Sequence, residues 1–134
     1  MTGEKELQKL LTTMQPELQA GEYVFCSISP ELFEQLDVQP GGWFREDEGI
    51  TLIVERNTAE HAGLAYAFVS RMITLTVHSS LEAVVFMAAI TRTLADAGIS
   101  VNPVSAYYHD HLFVPSDKAE RAMQLLTTLA QAHG

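Results

Sequence analysis

The sequence predicts an α+β protein of two tandem ferredoxin-like modules, each of βαββαβ order, with an extra helix at the N-terminus. Segments with strand-like alternation and segments with helical spacing follow one another along the chain. The order strand, helix, strand pair, helix occurs twice, offset by about 49 residues between Tyr23 and Met72. We expect the first module, with the N-terminal helix, in residues 1–70 and the second in residues 71–134.

Size and composition indicate a globular protein that folds without disulfides or metal. The chain has 134 residues, of which 47% are hydrophobic and 19% charged, and its net charge is −9. This charge argues against nucleic acid and against an anionic membrane surface as partners. The single cysteine, Cys26, lies in an apolar run and is expected to be a small buried hydrophobe. We expect a cytoplasmic protein, since no signal peptide or membrane-length apolar run is evident.

Local patterns predict the elements of the first half. Leucines at helical spacing predict a helix over Glu4–Met14, and Pro16 ends it. Tyr23–Ser29 is aromatic and β-branched, as is typical of a strand. Ser29 followed by proline is typical of a helix start. The other elements are a hairpin formed by residues 43–46 and 50–55, a short helix capped by Asn57, and an extended segment over residues 66–69.

The second half repeats this order with a longer helix. A strand over Met72–His78 leads into a helix over Leu81–Ala97, which Gly98 ends. A strand over Ile99–Tyr107 follows, in which Pro103 favours a position at a sheet edge. The last elements are a turn at His109–Asp110, a strand over residues 112–114, and a final helix capped by Ser116 or Asp117.

The corner between the strand at residue 72 and the long helix has the pattern of a ligand site. Ser79-Ser80-Leu81-Glu82 fits S-x-x-E, the capping box of a helix start. A helix N-terminus presents free N–H groups and a partial positive charge, which favour a ligand carboxylate. A plain helix cap explains the same residues, and the sequence alone leaves both interpretations open.

The His109-Asp110-His111 cluster also permits two interpretations. Residues two apart on a strand face the same side, so both imidazoles could reach one metal ion, with His78 as a third ligand. Alternatively, Asp110 forms a tight turn and the histidines lie at strand ends. No HExxH or CxxC motif supports the metal, so we expect no metal site and no cofactor.

The second half resembles the small ACT-domain proteins built from two tandem ACT-like units. The resemblance is carried by MITLTVHSSLEAV, LADAGISVN and YYHDHLFVP, and in the order of elements it extends over the whole chain. More distantly, the chain is similar to the amino-acid-binding regulatory ACT pairs of aspartate kinases. One departure is that Ser79-Ser80-Leu81-Glu82 stands where the common ACT loop has a glycine near the helix start.

In that family, effector amino acids are held by the loop after the first strand, the start of the first helix and the second strand. Carried onto this chain, the resemblance implies the following ligand-binding residues: His78, Ser79, Ser80, Leu81, Glu82, Ala83, Val84, Ile99, Ser100, Val101 and Asn102.

The resemblance therefore implies a non-catalytic regulatory protein whose ligand is a small molecule, most simply an amino acid. Sheet edges left open by the modules favour a homodimer. Two alternatives remain. One is a structural protein–protein interaction module without a ligand, and the other is a metal-dependent enzyme that uses His109 and His111.

Overall fold

The computed structural model describes residues 2–76 and 84–132. Two compact units divide the chain: residues 20–70, called here the middle unit, and residues 1–19 with 71–134, called here the terminal unit. In the part of the chain that the structure describes, no helix is long and apolar enough to cross a membrane.

Helices stand between single strands or pairs of strands along the described part of the chain. In chain order they are α1 (Thr2–Thr13), β1 (Pro16–Leu18), β2 (Tyr23–Ile28), α2 (Pro30–Gln35), β3 (Gly42–Glu46), β4 (Gly49–Glu55), α3 (Arg56–His61), β5 (Ala67–Leu75), α4 (Val84–Asp96), β6 (Asn102–Ser105), β7 (Asp110–Pro115), a 3₁₀ turn (Ser116–Lys118) and α5 (Ala119–Ala132).

The middle unit has the ferredoxin-like arrangement. Its strands lie in the order β3-β4-β2-β5, and only the first four residues of β5 belong to this unit. β3 pairs antiparallel with β4, and β4 pairs antiparallel with β2. Side chains alternate along β2 and β4, so that one face of each strand is buried. The buried core of the unit contains Val24, Cys26, Ile28, Ile50, Leu52, Val54 and Ala59.

The terminal unit has the same strand order, but its last strand comes from the N-terminal segment. β1 pairs antiparallel with β5, with Pro16 opposite Leu75, and β7 and β6 follow on the other side. β1 is not predicted from the sequence. Helices α1, α4 and α5 pack against one another over this sheet. The largest fully buried side chains of the unit are Phe86, Leu11, Ile73, Leu75, Ile90, Leu94, Leu112 and Leu126.

The predicted fold class is confirmed, including the extra N-terminal helix. The start of α2 is also confirmed, because the Leu32 N–H donates to Ser29 Oγ at 3.1 Å. Cys26 is buried, as predicted, and burial raises the pKa of its thiol. The division of the sequence into modules at residue 70 remains a prediction, since the compact units describe spatial packing.

Two predicted helix caps are wrong. Asn57 lies inside α3, which begins at Arg56, and the Asn57 carbonyl accepts a bond from the next turn, at His61 Nδ1. Neither Ser116 nor Asp117 caps α5, because the chain enters that helix through a 3₁₀ turn without a side-chain cap. At α3 the extended cap position belongs to Glu55, whose side chain makes no capping hydrogen bond, and at the 3₁₀ turn it belongs to Pro115, whose side chain has no acceptor.

Candidate functional site

The ligand site predicted from the sequence lies at the start of α4 and on the segment after that helix. The residues from His78 to Ala83 lie outside the described residues, and Val84 is the first residue of α4. The structure therefore describes mainly the second half of the predicted site, from Ile99 to Asn102.

The C-terminus of α4 fixes where this second half begins. Gly98 has a φ of +74°, its N–H donates to the Ala95 carbonyl at 2.9 Å, and the Ile99 N–H donates to the Leu94 carbonyl at 3.0 Å. These two bonds form a Schellman motif, and the side chains of Ile99 and Leu94 share the buried core. The predicted stop at Gly98 is confirmed, and Ile99 anchors the segment to the core.

The next three predicted residues differ in exposure. Ser100 and Asn102 are exposed, while Val101 is partly buried against the core of the terminal unit. The predicted strand over Ile99–Tyr107 is too long, because only Asn102–Ser105 pairs with β7. The edge position predicted from Pro103 is confirmed, since β6 is the last strand in the sheet order.

The predicted turn at His109–Asp110 is shifted by two residues. The Ala106 N–H donates to the His109 carbonyl at 3.0 Å, which places Tyr107 and Tyr108 at the turn. The buried Asp110 already belongs to β7, opposite Ser105. The two tyrosines are exposed, and their rings pack edge to face 4.9 Å apart. The chain thus turns on two aromatic residues, which local turn propensities do not predict.

His111 belongs to a chain of hydrogen bonds that joins β7, β5 and the residue after β1 within the terminal unit. Gln19 Nε2 donates to Thr74 Oγ1 at 3.1 Å, and Thr74 Oγ1 lies 3.0 Å from His111 Nδ1. Because the threonine oxygen accepts from the amide, its own proton can be donated to His111 Nδ1. This arrangement requires a neutral imidazole. Burial lowers the pKa of His111, the neighbouring His109 lowers it further, and Asp110 acts in the opposite direction.

This network predicts a pH dependence of stability. The folded state favours neutral His111, whereas an unfolded histidine binds a proton at about pH 6.5. The contribution of His111 is therefore complete above that pH and is lost as the pH falls through the lowered pKa of the folded state. Chemical denaturation between pH 7 and pH 5 should show a smaller loss of stability in His111→Asn than in the native chain. The same substitution at the exposed His61 is the control, and an equally reduced loss of stability in His61→Asn would contradict the assignment to His111.

A metal site has no support among the described residues. Within residues 2–76 and 84–132, no three histidine, cysteine, aspartate or glutamate side chains group closely enough to hold a metal ion. His78, the proposed third ligand, lies outside these ranges.

The middle unit contains a second polar cluster, at the junction of β4 with α3. Arg56 Nη1 donates to Glu22 Oε1 at 2.9 Å, and Arg56 Nε donates to Tyr66 Oη at 3.1 Å. The Tyr66 hydroxyl donates in turn to Glu60 Oε2 at 2.9 Å. The bonds to Glu22 and Tyr66 raise the pKa of Arg56 above its usual value, so its guanidinium remains charged. A bond from the Arg56 N–H to the Glu22 carbonyl, 2.9 Å long, joins the two segments through the backbone.

A cavity of about 420 Å³ opens beside this cluster. Its lining residues come from two short segments: Ala20, Gly21 and Glu22 before β2, and Glu55, Arg56 and Asn57 at the strand–helix junction. None of these residues is predicted as a binding residue from the sequence. The only available signal was the run of one acidic, one basic and one amide residue at positions 55–57.

Comparison with protein families shows two ACT domains in this chain. One family model described as ACT domain matches residues 2–71, and a second with the same description matches residues 68–128. None of the proteins with curated descriptions matches the sequence.

Solved structures show the same architecture. A crystal structure of a Vibrio cholerae protein of unknown function, described as a possible transport protein, is 45% identical, with a TM-score of 0.85 over 96% of this chain and 98% of that one. The ligand-free regulatory subunit of aspartate kinase from Thermus thermophilus has a TM-score of 0.68 at 11% identity, over 89% of this chain and 97% of that subunit. The corresponding subunit from Thermus flavus has a TM-score of 0.64 at 11% identity, over 87% of this chain and 95% of the subunit. At these identities the two subunits show a shared fold.

Proposed function

The chain belongs to the ACT domain family, and from this membership we propose that it is a non-catalytic regulatory protein that binds an amino acid. The observation that carries the proposal is the tandem pair of ACT domains. A fold shared with regulatory subunits of aspartate kinase, over nearly their whole length, supports the same role.

The proposed ligand site is the corner formed by residues 78–84 with residues 99–102. Ser100 and Asn102 are exposed, so a ligand can reach them, and the Asn102 amide offers both a donor and an acceptor to a zwitterion. Ile99 and the Schellman motif hold this segment against a rigid core. We propose that backbone N–H groups of residues 80–83, which precede α4, receive the α-carboxylate.

Regulation requires that the ligand bind one packing arrangement of the protein more tightly than another, because equal affinity for both would leave the equilibrium between them unchanged. We propose that the alternative arrangements are those of a homodimer, in keeping with the edge strands β3 and β6. The protein would act in the cytoplasm, on a partner that its ligand-bound state recognises.

A thermal-shift screen of the standard amino acids tests this proposal. We expect at least one of them, at millimolar concentration, to raise the melting temperature of the native chain, because a ligand that binds only the folded state stabilises it. If none does, the alternative of a structural interaction module without a ligand is favoured.

Glu82→Ala then separates ligand binding from helix capping. A lost cap costs about 1 kcal/mol of stability, whereas a lost ligand contact should remove most of the thermal shift as well. Ser29→Ala is the matched control, because it removes the observed cap of α2 and should leave the ligand response unchanged. If both variants lose the same stability and neither changes the thermal shift caused by the ligand, Glu82 acts only as a helix cap.

A further inference from the structure

The middle unit ends at an exposed edge strand, β3, which carries two large aromatic side chains. We propose that β3 pairs antiparallel with β3 of a second copy about a twofold axis at Phe44, so that Trp43 lies opposite Arg45 of the partner subunit. This inference rests on the homodimer of the proposed function, which by itself leaves the pairing edge and the register open.

Large apolar side chains are exposed on both faces of β3. Phe44 is 70% exposed and Trp43 is 51% exposed, although the Trp43 ring also packs 5.0 Å from that of Phe33 on α2. Adjacent residues of a strand face opposite sides of the sheet, so each face of this edge presents one aromatic ring. Apolar side chains beside an unpaired strand edge favour association with another strand.

The hydrogen bonds of the neighbouring strand show which backbone groups of β3 face outward. The Gly41 N–H donates to the Ile53 carbonyl at 2.7 Å, so Ile53 of β4 directs its backbone groups toward β3. Along an antiparallel ladder, residue pairs that exchange hydrogen bonds alternate with pairs that do not. Phe44, two positions along from the partner of Ile53, therefore bonds to β4. Trp43 and Arg45 present their N–H and C=O groups to the free edge.

The other edge strand, β6, is blocked for the same kind of pairing. The Ala106 N–H donates to the His109 carbonyl at 3.0 Å. The same alternation makes Val104 bond to β7 and leaves Pro103 and Ser105 facing outward. Proline has no N–H to donate and its ring fills the space of an added strand, so β6 resists pairing. Because β3 contains no proline, the contrast selects β3, and one unblocked edge in each copy gives a closed dimer.

Side-chain chemistry selects the register of the pairing. Because outward-facing groups must meet each other, the twofold axis can pass through Trp43, Phe44 or Arg45. An axis at Arg45 places two guanidinium groups directly opposite each other, which is unfavourable. An axis at Trp43 pairs Arg45 with Gly41, whose N–H already bonds within the unit. An axis at Phe44 avoids both costs, and each Arg45 then exchanges backbone hydrogen bonds with Trp43 of the partner subunit.

The side-chain pairs formed in this register attract each other. Arg45 makes no ion pair with any described residue, so its guanidinium is available for a cation–π contact with the indole of Trp43 across the interface. The two Phe44 side chains form a non-hydrogen-bonded pair, the closer kind, which suits an aromatic contact. The acidic hairpin tips at residues 46–48 lie at opposite ends of the paired strands, each beside residues 40–42 of the other copy, so the two tips do not repel each other.

Proline substitution at an outward position tests which edge pairs. Arg45→Pro removes an N–H that faces away from β4, and so repeats on β3 what Pro103 does on β6. In sedimentation velocity we expect the dissociation constant of the dimer to rise at least about tenfold, because one hydrogen bond is lost on each side of the axis. Ser105→Pro makes the matched change at an outward position of β6 and should alter the constant by less than about twofold.

Cysteine substitution tests the register and keeps every backbone N–H. The two Phe44 Cα atoms would lie about 4.5 Å apart, a separation that a disulfide spans, so Phe44→Cys should form a covalent dimer under mild oxidation. In Arg45→Cys the two Cα atoms would lie about 8 Å apart, too far for a disulfide. Val104→Cys is the matched control, since Val104 is exposed and bonds to β7 as Phe44 bonds to β4. The native Cys26 is buried, and non-reducing electrophoresis measures the product.

The outcomes separate this inference from the proposed function. If Phe44→Cys cross-links no faster than Val104→Cys, or if Arg45→Pro dimerises like the native chain, the inference is overturned and the proposed homodimer uses another surface. A native chain that stays monomeric at about 0.1 mM overturns the inference and the homodimer together. If Phe44→Cys cross-links but no amino acid raises the melting temperature of the native chain, the inference stands and the proposed ligand binding fails.

Discussion

Replacing Phe86 by alanine is expected to lower the free energy of unfolding by about 3–5 kcal/mol. Phe86 is fully buried on α4, in the core that this helix shares with α1 and α5. Truncation removes the apolar transfer energy of the ring and leaves a cavity that three packed helices and a sheet cannot fully close.

Val85→Ala provides the control for this prediction. Val85 directly precedes Phe86 on the same helix, but 47% of its surface is exposed, so its truncation should change stability by less than about 0.5 kcal/mol. Urea denaturation followed by far-ultraviolet circular dichroism measures both variants. A loss below about 1 kcal/mol in Phe86→Ala would contradict the described packing of α4.

Gly49→Ala is expected to be destabilising for a backbone reason, by about 3 kcal/mol or more. Gly49 begins β4 with a φ of +155°, a conformation that L-residues with a side chain rarely adopt. An alanine Cβ would also lie 2.8 Å from the Ile28 carbonyl oxygen and 3.3 Å from Ser27 Oγ. The carbonyl belongs to β2, whose pairing with β4 prevents it from moving away.

Gly63→Ala separates the two causes. Gly63 also has a positive φ, of +68°, but nothing lies within 4 Å of the position its Cβ would occupy. Its substitution should therefore cost only the conformational strain, about 1–2 kcal/mol. The fluorescence of Trp43, the single tryptophan, reports on both variants, since it belongs to the same unit and packs 5.0 Å from Phe33. Equal losses of stability in Gly49→Ala and Gly63→Ala would show that the close contact with the Ile28 carbonyl oxygen contributes nothing.

The elements that the sequence predicts well are those with local causes. The serine cap of α2, the β3–β4 hairpin and the glycine stop of α4 each depend on residues within a few positions of one another. The two-module fold follows from the order of such elements, and the ACT resemblance adds the strand arrangement.

The features that the sequence does not predict depend on distant contacts. β1 is only three residues long, and its partners lie on β5, with Pro16 opposite Leu75. No local period marks so short a strand. The same reason applies to the cavity, because Glu22 and Arg56 meet only through the pairing of β2 with β4. At the corner, His78 to Ala83 lie outside the described residues, so their role stays a prediction.

Equilibrium dialysis against an equimolar mixture of the standard amino acids tests most directly whether this ACT-domain chain binds an amino acid. At about 0.15 M salt, charge-driven enrichment of cations by a chain of net charge −9 is largely screened. We predict that at least one amino acid is concentrated on the protein side, and that this enrichment is lost in Glu82→Ala and kept in Ser29→Ala. Equal concentrations of every amino acid on both sides of the membrane would contradict the proposed function.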